Sequence, residues 1–123
     1  MAVPVFHSSD IQASLFFYTG TLGATLLWRD AEGTGPVYAA VKWQGHELHI
    51  SSHSGDGVAG SVAFFPVPDV DAVYRALRAT GWTPRQDRGP VFAGPTDQTW
   101  GMRELYVDDP DGNVLRFGTP LRG

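Results

Sequence analysis

The sequence predicts an α+β fold in which one βαβββ unit is used twice, and three observations carry that prediction. A short apolar strand running into an Asp-led amphipathic segment occurs near the start of the chain and again at its middle. A glycine-containing turn between two apolar runs occurs once in each half. Four Trp, four Tyr and seven Phe accompany 15 Gly and 9 Pro, more ring surface and more turn chemistry than a helical bundle needs.

Residues 3–7 (Val-Pro-Val-Phe-His) read as the first strand. Ser8, Ser9 and Asp10 then offer side-chain oxygens to cap a helix, whose apolar positions Ile11, Leu15, Tyr18 and Leu22 recur at helical spacing before Gly20 and Gly23 stop it. A strand at Ala24–Arg29 follows, although its residues do not alternate cleanly. The runs 37–43 and 46–51 flank Gln44-Gly45 as a hairpin. Residues 61–67 repeat the strand, and Asp69 and Asp71 introduce Val70, Val73, Tyr74 and Leu77, ending at Gly81. A weak strand is expected at Trp82, and the runs 103–108 and 113–118 flank Asp111-Gly112.

Asp69-Val70-x-Ala72 follows Asp10-Ile11-x-Ala13 by 59 positions, and Gly112 follows Gly45 by 67, so the second copy is eight residues longer. The extra length falls in 84–100, where Pro84, Gly89, Pro90, Gly94 and Pro95 give a loop composition. The expectation is a single domain over 1–123 made of two repeats, about 1–58 and 59–123.

Composition removes several function classes. Without cysteine there is no disulfide framework, thiol nucleophile or thiolate metal site. The net charge of -4 and the lack of any basic block argue against nucleic acid. No apolar run approaches the roughly 20 residues of a membrane span, and no secretion signal follows Met1, so a cytoplasmic protein is expected. The serines lack a Gly-x-Ser-x-Gly elbow, and Asp109-Pro110-Asp111-Gly112 lacks the spaced oxygens of a calcium loop.

The segment Trp100-Gly101-Met102-Arg103-Glu104-Leu105-Tyr106-Val107, continuing through Asp109-Pro110-Asp111-Gly112-Asn113-Val114-Leu115-Arg116-Phe117, is similar to the closing motif of bleomycin-resistance proteins. Asp10 through Tyr18, Leu22-Gly23 and Leu48-His49-Ile50-Ser51 extend the resemblance over nearly the whole chain. The chain thus resembles the vicinal-oxygen-chelate superfamily, the glyoxalases, extradiol dioxygenases and bleomycin-resistance proteins. That resemblance implies two βαβββ repeats forming an open, cupped mixed sheet. It also implies a homodimer whose ligand pockets lie at the subunit interface.

Metal-dependent members of the superfamily take ligands from the first and fifth strands and from the closing strand of each hairpin. The resemblance and the repeat offsets place those positions at Val3, Val62, His49 and Arg116. One histidine facing a permanent cation is not a donor set for a divalent metal, so no cofactor is expected. The alternative is an improvised site of His7, His49 and Glu104 serving a glyoxalase-like lyase or an extradiol-dioxygenase-like enzyme. Arg103 and Glu104, being adjacent in a strand, must face opposite ways.

What remains is a binding protein with no catalytic residue. In bleomycin-type binders rings stack on the flat part of a drug, and the matching positions are Trp28, Tyr38, Phe64 and Trp100. His49, Ser51, Met102 and Arg116 are expected to add polar or adaptable contacts. Trp43 and Trp82 match no such position and read as packing residues, as does any single aromatic before the resemblance is used. The expected function is metal-independent sequestration of an aromatic antibiotic or related natural product, conferring resistance.

Overall fold

The computed structural model describes residues 2–32 and 35–121. Met1 at the head of the first expected repeat, Arg122 and Gly123 at the tail of the second, and Gly33 and Thr34 lie outside the described residues. The chain divides into two compact units, Met1–Ser61 with Asp108–Asn113, and Val62–Val107 with Val114–Gly123. Each carries one four-stranded mixed sheet, and the fold is α+β.

In the first unit β1 (Val5–His7) leads to α1 (Ile11–Leu15), capped by Asp10, whose carboxylate accepts the amides of Gln12 and Ala13 at 3.1 and 3.2 Å. The helix does not continue as an α-helix to Leu22 as its spacing suggests. Residues Phe16–Thr21 widen into a π-helical turn, with the Leu22 amide bonded to the Phe17 carbonyl at 2.8 Å. Tyr18 is thereby fully buried. The strands β2 (Thr25–Arg29), β3 (Tyr38–Trp43) and β4 (His46–Ser51) complete a sheet in the order β1-β4-β3-β2, with β1 parallel to β4 and the other pairs antiparallel.

The failed alternation of β2 has a cause in this sheet. It is the edge strand, and its register to β3 shifts between Leu26 and Trp28. Gln44 and Gly45 both have positive φ, 46° and 81°, as a two-residue type I′ hairpin turn requires. Phe6, Ala39, Val41, Leu48 and Ile50 are buried on one face of the sheet, and α1 packs on β4. Each of the larger of these side chains contributes about 1.5–3 kcal/mol on burial.

In the second unit β5 (Val62–Pro66) precedes α2 (Val70–Ala79), capped by Asp69 on the amides of Asp71 and Ala72 at 3.0 and 3.3 Å. Val70, Val73 and Leu77 are buried, and α2 packs on β8. The expected strand at Trp82 does not form. Trp82 instead lies edge-on to Tyr74 of α2 at 6.3 Å, and the second strand of this repeat is the two-residue β6 (Thr96–Asp97). Between them the long segment folds a short helix, α3 (Pro90–Ala93), which buries Phe92. The hairpin strands are β7 (Met102–Asp108) and β8 (Val114–Pro120), and the sheet order is β5-β8-β7-β6.

The turn between β7 and β8 differs from its counterpart. Gly112 alone has positive φ, and its amide returns to the Asp109 carbonyl at 3.0 Å. Pro110 occupies the second position of that turn, where its fixed φ is an advantage.

The duplication holds at the level of pairing. Val5, Phe6 and His7 lie beside His49, Ile50 and Ser51, while Phe64, Phe65 and Pro66 lie beside Arg116, Phe117 and Gly118. The 59-residue offset relates the first strands and the 67-residue offset the second, so the two parallel pairs are in equivalent register.

Candidate functional site

On the face of the first sheet opposite the buried Phe6, Leu48 and Ile50, the pairing sets Trp28, Ala40, His49 and Val5 in one row across four strands. Tyr38, Ser51 and His7 form the next row. The Trp28 and Tyr38 rings stack at 5.8 Å and 11° between planes. His49 stands edge-on to both, at 5.7 and 5.3 Å. Ala40, carrying only a methyl group between Trp28 and His49, leaves space for these rings to meet.

Nδ1 of His49 lies 2.8 Å from the Tyr38 hydroxyl, and Nε2 lies 2.6 Å from Oε2 of Glu47. Burial and the Asp56 carboxylate raise the pKa of Tyr38. Ser51 is fully buried, and its hydroxyl donates to Asp56 at 2.9 Å while accepting the His53 amide at 3.1 Å. His7 is half-buried with its Nδ1 buried and unpartnered.

In the second unit Phe64 lies beside Arg116, and the Arg116 guanidinium sits over the Tyr106 ring at 4.5 Å. The Tyr106 hydroxyl donates to Oε1 of Glu104, and the Trp100 indole donates to Oε2, both at 3.3 Å. Glu104 is 4% exposed, a nearly buried carboxylate held by two long donors. Burial, then the Glu104 carboxylate, raises the pKa of Tyr106. Phe92 meets the same ring edge-on at 5.4 Å.

Gly118 makes room beside these residues. A Cβ there would fall 2.7 Å from the Phe64 ring and 3.0 Å from the Met102 methyl, so both side chains occupy the space that glycine leaves. Trp100 sits in the turn ahead of β7 and is 62% exposed. Arg103 faces the other way, as strand parity requires, donating to Asp71 at 3.0 Å and to Asp97 at 2.9 Å.

Half of the sequence-derived set, Trp28, Tyr38, His49 and Ser51, is therefore gathered in the first unit, and Phe64, Trp100, Met102 and Arg116 in the second. Two further side chains belong to these faces. Glu47 shares a strand face with His49 through period-two spacing, and Tyr106 bridges Arg116 and Glu104. Tyr106 lies within the closing motif without being singled out there, and the period-two spacing of Glu47 from His49 was a readable signal.

The sequence pattern of one family, described as the Glyoxalase/Bleomycin resistance protein/Dioxygenase superfamily, matches residues 5–117. The chain belongs to that superfamily. Similar solved structures include a bleomycin-binding protein from Streptomyces verticillus, complexed with copper(II)-bleomycin. It is 27% identical, with 99% of this chain and 94% of that chain covered and a TM-score of 0.63. An antibiotic-binding protein, TnmS3, from Streptomyces sp. CB03234 is 25% identical over 98% of this chain and 96% of that one, with a TM-score of 0.69. A bleomycin resistance determinant encoded on the transposon Tn5 shares the fold at 24% identity, 98% and 97% coverage and a TM-score of 0.78. No curated protein sequence matches the chain.

The superfamily includes metal-dependent enzymes, so the donor chemistry is the next test. Among the described residues no group of three or more His, Asp or Glu side chains is placed to hold a metal ion. At the four repeat-related positions, Val3 and Val62 offer no donor, Arg116 lies on Tyr106, and both nitrogens of His49 are hydrogen-bonded. These residues do not fit a divalent metal. No helix among the described residues is long and apolar enough to cross a membrane.

Proposed function

We propose that the chain binds and sequesters an aromatic antibiotic or related natural product, holding it without a metal and without breaking a bond. The observation that carries this reading is the set of large rings left in solvent at the two sheets, Trp28 and Phe64 each 46% and Trp100 62% exposed. A folded chain gains about 1.5–3 kcal/mol by burying such a group, so rings held out on ordered elements mark a surface meant to be covered. Planar ligands stack on such rings with about 0.5–1.5 kcal/mol beyond the burial itself.

In this reading the stacking rings are Trp28 and Tyr38 on the first sheet and Phe64 and Trp100 in the second unit. His49, Met102 and Arg116 supply polar or adaptable contacts, and Ser51 anchors the segment carrying Asp56. The binding of bleomycin by the Streptomyces verticillus protein and of an antibiotic by TnmS3, at 27% and 25% identity, supports an antibiotic as the ligand. Two chains pair so that each pocket draws on both, and the protein acts in the cytoplasm.

The four tryptophans make the test direct. Metal-stripped protein is titrated with bleomycin-type, enediyne and quinone antibiotics while fluorescence is followed, and metal is assayed on the same preparation. Saturable quenching without metal is the expected result. No binding, together with one tightly held divalent ion per chain, overturns it in favour of a metal-dependent enzyme.

A further inference from the structure

Glu47, His49 and Tyr38 form a hydrogen-bonded chain on the open face of the first sheet, and its direction sets what that face offers a ligand. Nε2 of His49 lies 2.6 Å from the Glu47 carboxylate, and Nδ1 lies 2.8 Å from the Tyr38 hydroxyl. A carboxylate only accepts, so a neutral imidazole facing it carries its hydrogen on Nε2. Nδ1 is then a lone pair, and the Tyr38 hydroxyl spends its one hydrogen on it. The stacked Trp28 and the edge-on imidazole hold the phenol in place while this happens.

We propose that Glu47 is a positioning residue that fixes the His49 tautomer, leaving the Tyr38 oxygen able only to accept. On the sequestration reading above, the site then favours a flat aromatic ligand with an N–H or O–H donor at its rim over the same ring system without one. A ligand presenting a lone pair there sets two acceptors face to face, which weakens its binding by a repulsive contact. The neighbouring polar groups reinforce the preference, since Asp56 and Glu47 also only accept, and the one cation in register with Glu47 is Lys42.

Two measurements test this. Nitrogen-15 NMR of the full chain, in buffer where the ring is neutral, reads the His49 tautomer on the free protein. The hydrogen is expected on Nε2, and a hydrogen on Nδ1 overturns the inference. The second uses 2-aminoanthraquinone and 2-(dimethylamino)anthraquinone, neutral probes that share a ring system and differ in the donor. Wild-type protein is expected to bind the primary amine about five-fold more tightly, the scale of one hydrogen bond. Tyr38→Phe should equalise the two, and Glu47→Leu should reduce the gap. Equal affinities in the wild type, or a gap that survives in Tyr38→Phe, overturn the inference while leaving sequestration intact. Binding of neither probe overturns the ligand preference, while sequestration is decided separately by the antibiotic panel and the direction of the hydrogen-bonded chain by the NMR result.

Discussion

Tyr18 donates its phenolic hydrogen to Oδ2 of Asp109 at 2.7 Å, joining side chains 91 positions apart. The same carboxylate accepts the Asp111 and Asn113 amides and the Asn113 side chain, each at 2.9 Å. Burial raises the pKa of Asp109 against the pull of these donors, and burial with the Asp109 charge raises Tyr18 well above the usual phenol value. A carboxyl raised on folding stabilises most below its unfolded pKa, and that contribution is lost as pH rises through the folded value. Tyr18→Phe removes a donor that favours the charged form. It should cost about 1–3 kcal/mol at neutral pH and less on acidification, when Asp109 is protonated. Urea denaturation at two pH values checks both, and a variant as stable as its parent at neutral pH would contradict the assignment.

Asn113 extends this network and should be the costlier position. Fully buried, it accepts the Gly60 and Ser61 amides at 3.1 Å and donates to the His7 carbonyl at 3.0 Å. Asn113→Ala strands two backbone donors, one carbonyl and part of a carboxylate at once. The expected loss is about 2–4 kcal/mol, larger than that of Tyr18→Phe, in the same denaturation measurement.

These contacts show where sequence patterns stop being informative. The Asp10 and Asp69 caps, the paired turns and the shared face of Val62, Phe64 and Pro66 follow from local chemistry, so they were legible. The strand expected at Trp82 was not found because β6 is two residues held by pairing with β7, with no pattern of its own. Likewise Tyr38 and Ala40 could be assigned to one face, yet the contact of Tyr38 with His49 and of His49 with Glu47 needs the cross-strand register. Asp109-Pro110-Asp111-Gly112 announced a turn, while its role as acceptor for Tyr18 depends on a π-helical widening that apolar spacing does not encode.

Arg103 forks onto Asp71, with Nε at 3.1 Å and Nη2 at 3.0 Å, and reaches Asp97 through Nη1. The hydrogen bonds from Arg103 hold the Asp71 carboxyl below its usual pKa. A depressed carboxyl stabilises above its unfolded pKa, and the contribution is lost as pH falls through the folded value. Both side chains are a third or more exposed, 34% and 43%, so screening limits the pair to less than about 1 kcal/mol. Arg103→Lys keeps the charge and loses the fork. Its small deficit at neutral pH should vanish in acid or at high salt, and a deficit constant across pH would assign the effect to packing.

Gly118 separates binding from folding. Its backbone is not in the left-handed region, so alanine brings no conformational strain, and the collision falls on the tips of Phe64 and Met102. Phe64 is half exposed and free to turn outward. Gly118→Ala should therefore shift stability by less than about 1 kcal/mol, while displacing a ring proposed to stack on the ligand. The expected outcome is a near-parental melting temperature with weakened quenching by the cognate antibiotic. Parental affinity would remove Phe64 from the site.

Trp100 gives the sharpest partition between ring and donor. At 62% exposure its loss creates no cavity, so Trp100→Ala should fold normally and lose about 1–3 kcal/mol of ligand binding, the scale of an interface anchor. Trp100→Phe keeps a stacking face but removes the indole hydrogen that Glu104 accepts at 3.3 Å. If stacking holds the ligand, the phenylalanine variant recovers most of the affinity. If the indole acts mainly by fixing Glu104, both variants lose affinity equally, with the Tyr106 hydroxyl left to hold that carboxylate. Isothermal titration of the two variants, with refolding of each confirmed by circular dichroism, separates these cases. Parental affinity in Trp100→Ala would remove this residue from the binding surface altogether.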